Sequence, residues 1–447
     1  MGSSSKKTLL FMTDLADTGF GRVGKEIVSR FAQTGLYNVV YVGWVGSQSA
    51  ELHREWQQWG VIIETCQQAM NDQFGQATFP HCVQKYQPDV VWTLGDPWMV
   101  EHVPRAPGFG KDWKWISYVP IDRDVLNSTW LPSMKAPDAL VLYSKFGQEV
   151  VKKHLPRVVT EVIYHGVDTD TFRPIDKNQA KRSLGLDPNT FLIGFVGRNQ
   201  IRKRIPRLLR AFYFWNCLRY TEDQEIRDGD TIYNARTLAK RLYHRPEKWH
   251  DHFRQNPKKA NSAVYLHTTQ GYTDQNDGLW VGWHIDEYST RYGLDDNIFN
   301  KPSRVMIPDP NLMATVSGLP DEALNTVYNA IDVHVLPSCR EGFGLPIIEA
   351  ASCGVPSIVT DYSSMSELVA DGRGFTVPAS DFDDEPFWDA PSALVDIDGL
   401  VGAFDMFVAK SNSGELQQMS QACRQFAVDH TWNNIFMKFH KLFKEMM

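Results

Sequence analysis

The sequence predicts an α/β protein built from two doubly wound parallel-sheet domains that face each other across a cleft. Three observations lead there: a length of 447 residues, a series of short apolar runs spaced by helix-permissive sequence, and a restart of that rhythm near residue 185. A chain of this length exceeds what one typical core organises, so two domains are expected. Apolar strands alternating with helices form a parallel sheet covered on both faces, because each crossover lays a helix on the sheet.

The elements follow in order. Residues 9–12, 39–43, 61–64, 90–94, 115–119 and 139–143 are short apolar runs, separated by polar stretches such as 23–34 and 146–154 that suit helices. A seventh strand is expected at 160–164, ahead of Gly166, and Arg173-Pro174 marks a break. The rhythm restarts after Leu184-Gly185, where strand 191–196 ends in Gly197 and residues 205–218 carry apolar positions at helical spacing. Later strands are expected at 263–267, 304–307, 333–336 and 357–359, with helices at 285–292, 321–330 and 346–352. Residues 415–447 are helical in pattern. Two segments read as insertions: 220–262, and the acidic 380–391, expected as a surface loop. The expected domains are 1–180 and 181–425, with a final helix at 426–447 returning to the first.

Composition excludes several classes. With 43% hydrophobic and 22% charged residues, the chain is neither disordered nor fibrous as a whole. The six cysteines are scattered and never form Cys-x-x-Cys, which argues against a disulfide scaffold or a cysteine-rich zinc module and for a reducing compartment. A cytoplasmic location is expected, or the host cytoplasm for a viral source. No run of 18 apolar residues occurs, so no membrane-spanning helix is expected. Residues 8–13 read as a first buried strand rather than a signal peptide. The net charge of −7 is uneven: residues 181–262 carry 18 Lys and Arg against 8 acids, and residues 263–447 carry 10 against 26. The basic block is either where an anionic ligand binds or a solvated helical surface.

Three segments carry candidate chemistry. Gly19-Phe20-Gly21-Arg22-Val23-Gly24 follows a strand and opens a helix, matching Gly-x-Gly-x-x-Gly. A dinucleotide site would also place an acid at the end of the second strand, and Tyr41-Val42-Gly43-Trp44 has none. Gly21 is therefore read as a close backbone approach to a ligand, beside the plainer reading of a tight turn. Gly197-Arg198-Asn199-Gln200-Ile201-Arg202-Lys203-Arg204 lies between a strand and a helix, and Arg198 and Lys203 bracket a place for a diphosphate. Pro337-Ser338-Cys339-Arg340-Glu341-Gly342-Phe343-Gly344-Leu345-Pro346 follows a further strand. Its glycines let backbone N–H groups reach an anion, and the dipole of the next helix adds positive potential. Glu341 is expected to project from the loop and Glu349 from the first helical turn.

This last segment resembles the Glu–seven residues–Glu motif of retaining glycosyltransferases of family 4, which have the GT-B fold of two Rossmann-like domains. Val196-Gly197-Arg198 with Lys203 resembles that family's diphosphate-binding Arg and Lys, and Tyr164-His165-Gly166-Val167-Asp168 with Phe172-Arg173-Pro174 resembles its interdomain segment. Ala350-Ala351-Ser352-Cys353-Gly354-Val355-Pro356 resembles the continuation of the motif. The resemblance implies an acceptor-side domain over 1–180 and a nucleotide-sugar-binding domain over 181–425. It implies that Glu341 contacts hydroxyls of the transferred sugar and Glu349 holds the nucleotide ribose. Backbone groups of Phe343, Gly344 and Leu345 would contact sugar and phosphate, and Gly21 would touch the donor phosphate. Arg198 and Lys203 would neutralise the departing diphosphate, so that no metal and no further cofactor is expected. Asp168-Thr169-Asp170 and Asp122-Arg123-Asp124 look like metal-binding Asp-x-Asp but lie in the wrong places for it.

The chain departs from the family where many members carry a His facing the sugar. Here strand 115–119 runs into Pro120-Ile121-Asp122, which makes Asp122 the candidate acceptor contact or base, beside the plainer reading of a turn cap. The expected partners are a nucleotide-sugar donor and a hydroxyl acceptor of a glycan, small-molecule or lipid-linked kind. Two alternatives stay open: transfer to DNA carrying hydroxymethylated pyrimidines, with nucleic acid bound by the basic 181–262 block and its aromatics, and a non-catalytic sugar-nucleotide-binding protein.

Overall fold

The computed structural model describes residues 6–16, 18–44, 54, 56–66, 72–221, 225–228, 231–234, 262–269, 272–273, 280–292, 294, 305–307, 319–385 and 390–447. The chain divides into two compact units, Met1–Val167 with Asp429–Met447, and Asp168–Val428. The division falls at Val167–Asp168 rather than at 180–181. The segment after it is hydrogen-bonded to a helix of the second unit, with Arg173 N–H on Asn325 Oδ1 at 3.1 Å and Ile175 N–H on Asn329 Oδ1 at 2.8 Å.

The N-terminal unit holds a seven-stranded sheet in the order β3-β2-β1-β4-β5-β6-β7. Its strands are β1 (Lys7–Thr13), β2 (Tyr37–Gly43), β3 (Val61–Thr65), β4 (Val90–Leu94), β5 (Lys114–Val119), β6 (Ala139–Leu142) and β7 (Thr160–Val162). Every neighbouring pair is parallel. Leu9, Leu10, Phe11 and Met12 of β1, an interior strand, are wholly buried, which explains a continuous apolar run rather than an alternating one. The helix Gly19–Gln33 and the C-terminal helix Trp432–Met446 cover one face. Ile435, Phe439, Leu442 and Phe443 are buried at helical spacing, and the Phe443 ring lies 4.5 Å from Phe31 and 5.6 Å from Phe11. Burying each such aromatic contributes roughly 1.5–3 kcal/mol, enough to hold the last helix on this unit. The helical tail is two helices, Glu415–Asp429, in the second unit up to Val428, and Trp432–Met446 in the first, the latter capped by the Thr431 hydroxyl.

In the second unit, β8 (Phe191–Val196) starts the sheet, and β9 (Glu225–Asp228) pairs antiparallel with β10 (Thr231–Asn234). These two strands fall in the expected basic insertion at 220–262; most of that segment lies outside the described residues. Then come β11 (Ser262–His267), the short pair β12 (Tyr272–Thr273) and β13 (Trp280–Val281), β14 (Val305–Met306), β15 (Val333–Leu336), β16 (Ser357–Thr360) and β17 (Gly374–Val377). The main sheet has six strands in the order β14-β11-β8-β15-β16-β17, all parallel. The expected surface loop at 380–391 is instead an antiparallel hairpin of β18 (Ala379–Glu385) and β19 (Ala390–Val395). Its acids sit on β18, where Asp381 and Asp383 are exposed, while Ser392, Ala393 and Val395 of β19 are fully buried. Charge alone hid the buried strand.

Both main sheets reverse their strand order beside their first strand, at β1/β4 and at β8/β15. Loops leaving adjacent strands at such a point diverge and leave room for a ligand at the carboxyl edge.

Candidate active site

The loops after β8 and β15 meet at the reversal point of the second unit. The first makes one 3-10 turn, Ile201–Lys203, and ends at Arg204 in the left-handed region (φ 49°). The second runs to Gly344, which precedes the helix Leu345–Ser352 at φ 105°, a conformation that glycine adopts without strain. The backbone ties the two loops, with Cys339 N–H donating to Arg202 C=O at 2.8 Å.

Glu341 is the centre of the arrangement. It is 6% exposed, and both carboxylate oxygens accept from cations of the other loop: Lys203 Nζ on Oε1, and Arg202 Nη1 on Oε2 at 2.8 Å. Its backbone N–H donates to Ser363 Oγ at 3.0 Å, and the Ser364 hydroxyl lies 2.9 Å from the Glu341 carbonyl and 2.8 Å from that of Phe343. Burial pushes the Glu341 carboxyl up, but Arg202 and Lys203 outweigh it and hold the group down at about 2. Burial lowers the Lys203 ammonium to about 8 against the pull of Glu341. Beneath them His334 is fully buried, with Nδ1 2.9 Å from Ser357 Oγ, and burial with the Lys203 charge lowers it to about 3, so it is neutral.

Glu349 stands in the second turn of its helix rather than the first. It is 5% exposed, and Tyr328 donates its hydroxyl to Oε2 at 2.7 Å from the helix Asp321–Ala330. No side chain caps the helix beginning at Leu345, so the backbone of Phe343, Gly344 and Leu345 forms the kind of helix start that accepts anions. The loop is anchored from behind by Arg340, 2% exposed, whose Nη1 donates to Ser392 Oγ of the β18–β19 hairpin.

The structure thus brings together Lys203 and Glu341, with Phe343, Gly344, Leu345 and Glu349 continuing along the same loop and helix. Arg198 is exposed on the loop that carries Lys203, while Arg202 takes the second position on Glu341. Gly21 and Asp122 belong to the other unit. Gly21 lies in the first turn of its helix, its N–H held by Thr18 Oγ1 at 3.1 Å, and a Cβ there would sit 1.7 Å from the Ala16 carbonyl oxygen. Close packing of the turn therefore requires this glycine by itself. Asp122 follows the end of β5 and accepts from Arg123 Nε at 2.9 Å, while Arg123 is buried against Trp130. Asp168 caps a turn, accepting from the N–H groups of Asp170 and Thr171. Among the described residues, no three His, Cys, Asp or Glu side chains gather as metal ligands. Arg202, Tyr328, His334, Arg340, Ser363 and Ser364 also belong to this arrangement, without having been expected from the sequence. Only Arg202 had a local signal, its place in the basic loop.

Comparison with known proteins bears on this unit most directly. The family model "Glycosyl transferases group 1" matches residues 314–385, which include Glu341 and Glu349. Among curated relatives, D-inositol 3-phosphate glycosyltransferase 2 of Catenulispora acidiphila is 30% identical over 215 residues, 48% of this chain and 37% of that protein. The lipopolysaccharide core biosynthesis mannosyltransferase LpsB of Rhizobium meliloti is 28% identical over 243 residues, 54% of this chain and 51% of that protein. The chain thus matches about half or less of the length of these relatives. Among solved structures, a glycosyltransferase from Rickettsia africae has a TM-score of 0.66 at 13% identity, covering 99% of each chain. Anabaena Alr3699/HepE in complex with UDP has a TM-score of 0.65 at 14% identity, covering 98% of this chain and 100% of that one. No described helix is long and apolar enough to cross a membrane. The fold is that of the GT-B glycosyltransferases, and the stretch that is similar to group 1 glycosyl transferases holds both Glu341 and Glu349.

Proposed function

We propose that this chain is a retaining, metal-independent glycosyltransferase of family 4 that moves a sugar from a nucleotide diphosphate sugar to a hydroxyl acceptor. The observation that carries the reading is the meeting of the β8-loop cations with Glu341 at the carboxyl edge of a reversed parallel sheet. A departing diphosphate gains negative charge as the glycosidic bond breaks, and fixed cations stabilise that charge without a metal. Arg198 and Lys203 fill this role, and the backbone of Phe343, Gly344 and Leu345 adds N–H donors at a helix start. Glu341 contacts hydroxyls of the transferred sugar, and Glu349, oriented by Tyr328, holds the ribose. The acceptor attacks on the face from which the diphosphate leaves, and the diphosphate helps to accept its proton. The structures of Anabaena Alr3699/HepE in complex with UDP and with UDP-glucose, which share this fold, support a nucleotide-sugar donor. The acceptor, a glycan or another small or lipid-linked hydroxyl, is assigned to the N-terminal unit with Asp122 as its contact.

A thermal-shift panel of UDP, GDP, ADP and their sugars tests the donor site, because a ligand that binds only the folded chain raises the melting temperature. One nucleotide should shift the wild type and fail to shift Arg198→Ala and Glu349→Ala. Donor turnover should vanish in Glu341→Ala. Binding without turnover in the wild type would instead indicate a sugar-nucleotide-binding protein. Competition by DNA carrying hydroxymethylated pyrimidines, weakening steeply with salt, would move the acceptor to nucleic acid.

A further inference from the structure

Arg202 has no place in the motif that identified the site, yet it is the more exposed of the two cations on Glu341. Its side chain is 31% exposed, against 7% each for Lys203 and Glu341. Arg202 also donates to the Arg340 carbonyl at 3.0 Å and accepts from Cys339 N–H at 2.8 Å through its own carbonyl. It therefore sits at the solvent side of the cluster with its backbone fixed, and only its guanidinium can be redirected cheaply. Glu341, in turn, has one cation on each carboxylate oxygen. A sugar hydroxyl donating to Glu341 competes with those cations, and a diphosphate competes with Glu341 for them.

Resting on the donor site proposed above, we infer that Arg202 is a further diphosphate-binding residue and that donor binding is an exchange of anions. The diphosphate displaces Glu341 from Arg202 and Lys203, and the carboxylate oxygens so released receive the sugar hydroxyls. Charge-assisted hydrogen bonds are the strong ones here, so an exchange keeps both cations paired throughout, whereas a simple addition would leave them shared between two anions. Sugar recognition is thereby coupled to diphosphate recognition: Glu341 becomes available to the sugar only when the diphosphate is in place.

The exchange predicts different outcomes for two ligands in one variant. Glu341→Gln removes the competing charge but keeps an oxygen for Lys203. It should bind the nucleoside diphosphate about tenfold more tightly than the wild type, the scale of one charge-assisted hydrogen bond. The same variant should gain no affinity for the corresponding nucleotide sugar, because the hydroxyl contacts are lost. Arg202→Gln should weaken the nucleoside diphosphate about tenfold, and Arg202→Lys should restore most of that loss. Isothermal titration at pH 7 with whichever of UDP, GDP and ADP binds, and with its glucose ester, reads all of these, and melting curves confirm that each variant is folded. A Glu341→Gln affinity for the nucleoside diphosphate equal to or weaker than wild type overturns the exchange, as does tightening of both ligands alike. If Glu341→Gln fails to fold, Arg202→Gln decides: unchanged nucleoside diphosphate affinity overturns the role of Arg202. A wild-type chain that binds none of the three nucleotides overturns the donor site itself, a failure distinct from the failure of the exchange.

Discussion

Replacing Lys203 by Met breaks the buried pair while keeping most of the side chain's volume, and the cost can be worked from the site. Glu341 is 6% exposed and held at about 2 against an ordinary 4.5, a difference equivalent to about 3 kcal/mol in favour of the folded state. Burial pulls Lys203 the other way, from 10.5 to about 8, so holding it charged inside the protein carries a cost of its own. Desolvation opposes attraction over the pair, and removing one partner leaves the other buried and poorly compensated. Lys203→Met alone should therefore cost about 3 kcal/mol at pH 7, because it leaves a buried carboxylate with Arg202 as its remaining cation. Lys203→Met with Glu341→Gln should cost about 1 kcal/mol or less, since Arg202 can turn to solvent. The depressed carboxyl stabilises the wild type above about pH 4.5, and that stability is lost as pH falls towards 2. In the single variant Glu341 protonates more readily, so its deficit should shrink between pH 7 and pH 4. Urea midpoints at the two pH values, followed by tryptophan fluorescence, measure all three quantities. A double variant no more stable than the single one would refute the reasoning, as would a deficit that grows on acidification.

Other outcomes follow from the same contacts. Tyr328→Phe removes the donor on Glu349 Oε2 and should destabilise by about 1–3 kcal/mol while weakening nucleoside diphosphate binding; unchanged affinity in a folded variant would separate Glu349 from the ribose. Gly21→Ala would place a Cβ 1.7 Å from the Ala16 carbonyl oxygen, so the melting curve should show a loss of about 2 kcal/mol or more, and a neutral result would mean that the turn yields. His165 is fully buried beside Tyr118, and burial lowers it to about 3. Its neutral form is the folded one, so it supports stability above about pH 6.5 and withdraws that support as pH falls towards 3. His165→Gln should flatten the acid side of the stability profile, and an unaltered profile would clear this residue.

The doubly wound fold could be read from local pattern because a parallel strand buried on both faces is a continuous apolar run. The runs at 9–12, 90–94 and 191–196 mark three such strands, now seen as parts of β1, β4 and β8. The motif loops were readable for a related reason: glycines and prolines at strand-to-helix turns answer to backbone geometry within a few residues. The hairpin at 379–395 escaped, because its acids lie on one strand and its buried residues on the other, and the pairing joins residues that composition treats alike. Domain assignment at the junction escaped too, since the hydrogen bonds that hold Arg173 and Ile175 come from Asn325 and Asn329.

The residue types of the site, two carboxylates and a basic loop, were set by the chain and visible in it. Which cation meets which oxygen was decided only by the strand order, which sets the β8 and β15 loops side by side although Lys203 and Glu341 are 138 residues apart. Arg198 and Arg202 are equivalent as letters in a basic loop. The 3-10 turn at 201–203 distinguishes them, leaving Arg198 exposed while Arg202 reaches Glu341. Periodicity encodes which face of an element is buried; the partner across that face is fixed by close packing of distant segments, and no local pattern carries it.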